Sequence, residues 1–289
     1  TRCMFFNKQL AENYKWESPY DMVRAGTWTL DNVIAMTKDV YEDLDGNGQS
    51  DHNDLYGFAC TVPYCLLDNF GIEACEKSED GKSLELTIQN EKTVDLLDKM
   101  VGWLNADAAG TYYSSTHTGR YERDSSNTMF SCGNVVLTYG AIGHLLTGLM
   151  DTDVPYGILP TPKAQPAQAN YIGACTEIPG TIPVSALDLD RTGMIVEALS
   201  AEGYRQIRPA YYEMALKGRY SGDEASAEML DIIFNNRILS FSYMYIPEMQ
   251  QVINNVLAGN TNFASFYAAK EAATRFTLDK VNEFYGEGK

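Results

Sequence analysis

Apolar residues recur at helical spacing in five stretches of the chain, and each stretch has recognisable ends. Leu30, Val33, Ile34, Thr37, Val40 and Tyr41 follow Thr29, whose hydroxyl suits an N-cap. Val94, Leu97, Val101 and Leu104 predict a helix over about 91–107. A third helix is predicted over 190–201, with Ile195 and Leu199 on one face and Gly203 as its C-terminal stop. Ala227, Leu230, Ile233, Phe234 and Ile238 form a fourth stripe. Pro247 sits where a first-turn proline is tolerated, ahead of Val252, Ile253, Val256, Leu257 and the stop Gly259. The region 206–289 therefore reads as mostly helical. Strands are predicted at the start of the chain and at 56–59, 84–88, 135–139, 156–159, 171–175 and 182–184, several bounded by Pro or Gly. Strands alternate with helices only in the first two thirds, an α/β pattern. The proline-rich run Pro160-Thr161-Pro162-Lys163-Ala164-Gln165-Pro166-Ala167 reads as a surface loop marking a crossing between lobes.

Composition narrows the function classes. The 289 residues are 45% hydrophobic and 21% charged, ordinary for a folded chain of one or two lobes. A net charge of −17 repels phosphate backbones, so nucleic acid is not a partner. The most apolar run, 135–150, is broken by Gly140, Gly143, His144 and Gly148 and is too short to span a bilayer. Residues Thr1 to Lys8 enter a strand with neither initiator Met nor signal peptide, as expected of a mature or truncated piece. Six cysteines contain no C-x-x-C pair, which argues against zinc and dithiol redox sites. Most read as buried small hydrophobes, with a Cys65–Cys75 or Cys60–Cys75 bridge left open.

The sharpest local signal is the acidic loop 43–54. Asp43, Asp45, Asn47, Asp51 and Asp54 place side-chain oxygens at loop positions 1, 3, 5, 9 and 12, Gly46 stands at the sharp turn, and Gln49 offers a backbone carbonyl. That is the ligand set of a structural calcium ion. Asp54 has a shorter arm than the usual glutamate, which weakens the site. The alternative is an acidic turn, rich in Asp, Asn and Gly for turn reasons alone. Nucleophile and phosphate-loop motifs are absent, and His52, His117 and His144 have no partner at metal-binding spacing. No catalytic residue is assigned. The 19 tyrosines suit a ligand that is half apolar and half wet, as a sugar is, although most single tyrosines are packing residues.

Several segments, in order along most of the chain, resemble the carbohydrate-type extracellular solute-binding proteins, the maltose-binding-like receptors of ABC importers. Met4-Phe5-Phe6-Asn7-Lys8-Gln9-Leu10 is similar to that family's strand and Y-N-K-x-L step, and Gly26-Thr27-Trp28-Thr29-Leu30-Asp31 to its G-x-W-T-W-D segment. The acidic loop running into Asp54-Leu55-Tyr56-Gly57-Phe58 resembles its D-x-D-G-D-G-x-x-D-x-Y-G-F segment. Gly133 to Gly140 and Tyr156 to Lys163 resemble two later motifs.

The resemblance implies a periplasmic-binding-protein-like type II α/β fold, mainly its C-terminal lobe. It divides the chain into a C-terminal-lobe part (1–155), crossing strands and a helix of the N-terminal lobe (156–205) and a helical part (206–289). Most of the N-terminal lobe would lie outside the chain, and strand material over 171–184 would be irregular, exposed or paired with another molecule. It further implies a sugar or oligosaccharide ligand, ABC permease subunits as partners, and an extracellular or periplasmic setting in which a lipid anchor outside this chain is the one membrane contact. Tyr64, Asp68, Tyr139 and Tyr245 are the implied ligand residues, whereas Trp28 and Trp103 read as packing. Ile142 stands where maltose-binding members carry tryptophan, which argues against a maltodextrin. The rival readings are a calcium-stabilised carbohydrate-active hydrolase and a calcium-dependent adhesion module.

Overall fold

The computed structural model describes residues 1–105, 110–113, 125–175, 180–213, 223–259 and 262–286. The apolar run that opens the chain is strand β1 (Arg2–Asn7), buried from Cys3 onward. Three short helices follow, α1 (Lys8–Asn13), α2 (Pro19–Ala25) and α3 (Leu30–Thr37). Thr29 caps α3 as predicted, accepting a hydrogen bond from Asn32 N–H at 3.4 Å. The helix stops at Thr37, whose hydroxyl bonds back to the Val33 carbonyl at 2.8 Å, and Tyr41 belongs instead to strand β2 (Tyr41–Glu42).

Strand β3 (Leu55–Cys60) is buried along its whole length. Gly57 is required there, because a Cβ would stand 2.3 Å from the Thr37 carbonyl oxygen. After β3 come α4 (Cys65–Asn69), the hairpin β4 (Cys75–Lys77) and β5 (Leu84–Leu86), and α5 (Glu91–Asn105). Next are β6 (Thr111–Tyr113), α6 (Ser126–Ser131), β7 (Val135–Ala141) and β8 (Tyr156–Leu159). Five of these strands and β1 make one mixed sheet in the order β2-β3-β7-β1-β8, with β6 also on β3. The strands β3, β6 and β7 are mutually parallel, and β1 runs antiparallel to β7 and β8. Both faces of the sheet are covered, so β3 and β7 read as continuous apolar runs rather than alternating ones. Met4, Phe6, Phe58, Leu137 and Tyr139 join a core with Trp28, Leu97 and Trp103, while Cys3, Phe5, Tyr56 and Val135 join a second core on the other face. Trp28 and Trp103 are the packing residues expected.

The proline-rich run is not a surface loop at its start, since Thr161 and Pro162 are buried. Trp28 Nε1 donates to the Pro160 carbonyl at 2.9 Å, and Leu30 N–H to that of Lys163 at 2.8 Å. Strand β8, which opens the segment expected to cross between lobes, is an edge strand of the main sheet.

The remaining elements are β9 (Gly173–Cys175), α7 (Leu189–Glu202), α8 (Glu224–Asn235), β10 (Arg237–Leu239), α9 (Phe241–Tyr245), α10 (Pro247–Leu257) and α11 (Phe263–Gly286). Strand β9 is buried and pairs in parallel with β10 of the same chain. No strand forms at 182–184, where Val184 is fully exposed. Helix α7 is capped by Asp188, yet Gly203 does not end it: with φ −57° it stays helical and leads into a wider turn at Gly203–Ile207. The stripe that predicted α7 is uncovered, with Ile195 53% and Leu199 68% exposed. In contrast, α10 buries Val252, Ile253, Val256 and Leu257, and Gly259 ends it at φ +72°. All six cysteines are free thiols, five of them buried. Among the described residues no helix is long and apolar enough to cross a membrane.

Candidate functional site

Open α/β sheets hold ligands beyond the carboxyl ends of their parallel strands, and two of the predicted site residues, Tyr64 and Asp68, line a crevice at that edge. Cys60, the last residue of β3, is in register with Tyr139 of β7. The loop leaving β3 brings Tyr64 to the start of α4, where it is half-buried. Its ring lies parallel to that of Tyr243 on α9, with 6.2 Å between centroids and 5° between planes. The crevice beside this pair is lined by Tyr64, Asp68, Ser242, Tyr243 and Gln250 over an apolar floor that includes Leu67 and Ile253. Its cavity volume is about 30 Å³, room for a water molecule or two rather than a whole sugar ring.

Asp68 is 8% exposed. Burial, reinforced by the charge of Glu73, pushes its carboxyl up to about 7, against the opposing hydrogen bond of Ser240. Burial raises Glu73 as well, and its Oε2 accepts from the Ser242 hydroxyl at 3.1 Å. A buried carboxyl, Asp68, and a half-buried one, Glu73, thus flank α9 through its cap Ser240 and through Ser242.

The other two predicted aromatics stand elsewhere. Tyr139 is 1% exposed and belongs to the core beneath α4, so it is not a pocket-lining ring. Its hydroxyl donates to Asn69 Oδ1 at 2.8 Å, and Asn69 Nδ2 in turn donates to the Ile172 carbonyl, so the pair supports the floor of the site. Tyr245 packs on Phe241 with centroids 4.8 Å apart and does not line the crevice. Tyr243 takes that part. Two positions along a helix rotate a side chain by roughly 200°, which separates the faces of the two tyrosines. The missed signal was Ser240, which caps α9 by accepting from Tyr243 N–H at 3.1 Å.

The acidic loop lies at the opposite, amino end of β3, roughly 15–20 Å away by strand length. One carboxylate oxygen from each of Asp43, Asp45 and Asp54 lies within 4.8 Å of the others. Oxygens ligating one calcium ion at about 2.4 Å can be no further apart than that. Asp54 is fully buried and accepts from the Tyr41 hydroxyl and from Asp51 N–H, each at 3.0 Å. Amide hydrogen bonds, that of Gly48 foremost, hold the Asp43 carboxyl below its usual range. The Asn53 amide does the same for Asp51. Asn47 directs its side-chain NH2 to Asp45 at 3.0 Å and Asp51 at 3.1 Å. Its Oδ1 accepts from Gln49 N–H at 2.6 Å, so it must turn to become a ligand.

A scan against protein-family models finds no match, and neither does a search of curated proteins. Among solved structures, the chain is similar to the GacH receptor of Streptomyces glaucescens, which was solved unliganded and with acarbose. The identity is 15% and the TM-score 0.59, over 96% of this chain and 69% of that one. Maltose-bound MalE3 of T. maritima gives 16% and 0.60 over 96% and 70%. UgpB of Mycobacterium tuberculosis, in complex with glycerophosphocholine, gives 11% and 0.58 over 97% and 69%. Likeness at these identities establishes the fold: a mixed α/β chain with the fold of MalE-like periplasmic binding proteins.

Proposed function

We propose that the chain is the ligand-holding part of an extracellular receptor that captures a sugar or oligosaccharide and passes it to the permease subunits of an ABC importer, without catalysis. The observation that carries this reading is the parallel pair Tyr64 and Tyr243 beside Asp68, Ser242 and Gln250. Stacked rings meet the C–H faces of a pyranose, and the carboxyl, hydroxyl and amide meet its hydroxyls. The crevice takes the edge of a ring, and the rest of the sugar lies along the open side of Tyr64. The fold neighbours support the reading: GacH was solved with acarbose, MalE3 with maltose, and the ABC substrate-binding protein Lmo0181 of Listeria monocytogenes with cycloalternan. A lipid anchor outside this chain would hold the receptor at the membrane. Asp43, Asp45, Asn47, Asp51, Asp54 and the Gln49 carbonyl would bind calcium, which at that distance from the crevice steadies the sheet and contacts no sugar.

The test is a thermal-shift screen against mono- and oligosaccharides. A bound sugar raises the melting temperature by mass action; no shift with any sugar at millimolar concentration would contradict the receptor. The hydrolase alternative draws on one observation, the buried carboxyl of Asp68 and the half-buried one of Glu73 beside the tyrosines. Sustained release of reducing sugar, abolished by Asp68→Asn, would replace the receptor reading with it.

A further inference from the structure

Arg2 begins β1 opposite Ala141, so it stands at the carboxyl end of β7, on the edge where the candidate site lies. Alternation along the strand puts its side chain on the face of Met4 and Phe6, over the core that holds Tyr139. The guanidinium sits 6.0 Å from the centroid of the Tyr139 ring. Its other close polar neighbours are Cys65, Tyr64 and Cys60. None of these is an anion at neutral pH. Burial pushes the Cys60 thiol up to about 12 and that of Cys65 to about 11, and it raises both tyrosines. His144 is held neutral, its pKa lowered by burial and by Arg2 itself.

The cation is therefore unbalanced. Arg2 Nε is buried without a hydrogen-bond partner. Among the described residues no carboxylate forms an ion pair with Arg2, although the chain carries 39 acidic residues against 22 basic ones. A half-buried charge without a counter-ion is costly. The planar guanidinium also presents a fork that fits a carboxylate or phosphate with two parallel bonds.

We propose that Arg2 receives an anionic group, carboxylate or phosphate, carried by the ligand that stacks on Tyr64, so that the preferred sugar is an acidic one. This deepens the receptor reading and rests on it. Tyr64 feels the charge of Arg2 and shares its crevice with the carboxyl of Asp68. An acidic sugar is oriented by both, its anion drawn to Arg2 and its hydroxyls left to Asp68.

The experiment is calorimetric titration of the full chain and its R2Q and R2K variants with glucose, glucuronate, glucose 6-phosphate and inorganic phosphate. The expected result is that glucuronate or glucose 6-phosphate binds at least tenfold tighter than glucose. In R2Q that ratio falls to about one while glucose affinity holds, and in R2K, which keeps the charge but loses the fork, it falls about threefold or more. If R2Q fails to fold, the ratio in R2K decides. Inorganic phosphate binding as tightly as glucose 6-phosphate would assign Arg2 to a free-anion site and overturn the proposal. So would glucose binding as well as the acids, or an unchanged ratio in the variants, and in those cases the receptor reading stands. Failure of every sugar, neutral or acidic, would remove both.

Discussion

Asp68 lies on the buried side of a five-residue helix, with its carboxyl at about 7. An unfolded aspartate titrates near ~3.9, so the folded chain holds the proton more tightly than the unfolded one. The stability this proton confers is complete below about pH 4 and is lost as the pH rises through about 7. Wild-type stability should therefore decline across that window, and Asp68→Asn should flatten the decline. Urea denaturation at a series of pH values checks it, and equal slopes in the two proteins would mean that Asp68 titrates normally. The segment resemblance pointed to Asp68 beside Tyr64, and the structure sets both along one crevice. Tyr139 was misread because the end of a strand is equally the place for a pocket ring and for a core ring. Sequence alone did not reveal that Asn69 stands ready to accept its hydroxyl hydrogen bond.

At the scale of elements, β3 separates two features, the acidic loop at its amino end and Tyr64 beyond its carboxyl end. If the loop binds calcium, the ion stabilises the folded chain by about 2.7 kcal/mol at a hundredfold excess over Kd. Calcium should then raise the melting temperature, EDTA should reverse the rise, and Asp54→Ala should abolish it. Differential scanning calorimetry that shows the same transition with calcium and with EDTA would reduce the loop to an acidic turn. Spacing picked out this loop because its acidic residues are close in sequence, and three of their carboxylates do converge. Helix starts were legible for the same reason, as at the N-cap Thr29 and the first-turn Pro247. Gly203 was not a stop because its backbone stays helical at φ −57°, and among the described residues α7 buries none of its side chains, a fact of tertiary contact that the stripe Ile195 and Leu199 does not encode. Tyr243 was missed in favour of Tyr245 because the choice turns on the face of a helix too short for periodicity to define.

At the scale of the molecule, pairing was the least legible feature. β1 meets β7 through residues such as Phe5 and Thr138, far apart in the chain, and no local pattern encodes that register. The segment resemblance was legible because it is spread in order along the chain, and the fold it implied is the fold observed. The central claim is that this fold holds a sugar against Tyr64 and Tyr243. The most direct measurement is calorimetric titration of the sugar that gives the largest thermal shift into wild type, Tyr64→Ala, Tyr243→Ala and Tyr139→Phe. Loss of a stacking ring should weaken binding by roughly 1 kcal/mol or more, about fivefold, in each of the first two variants. Tyr139→Phe should leave affinity within error of wild type while costing about 1–2 kcal/mol of stability through the lost Asn69 hydrogen bond. Affinity that survives both alanine substitutions, or that falls only in Tyr139→Phe, would contradict the account.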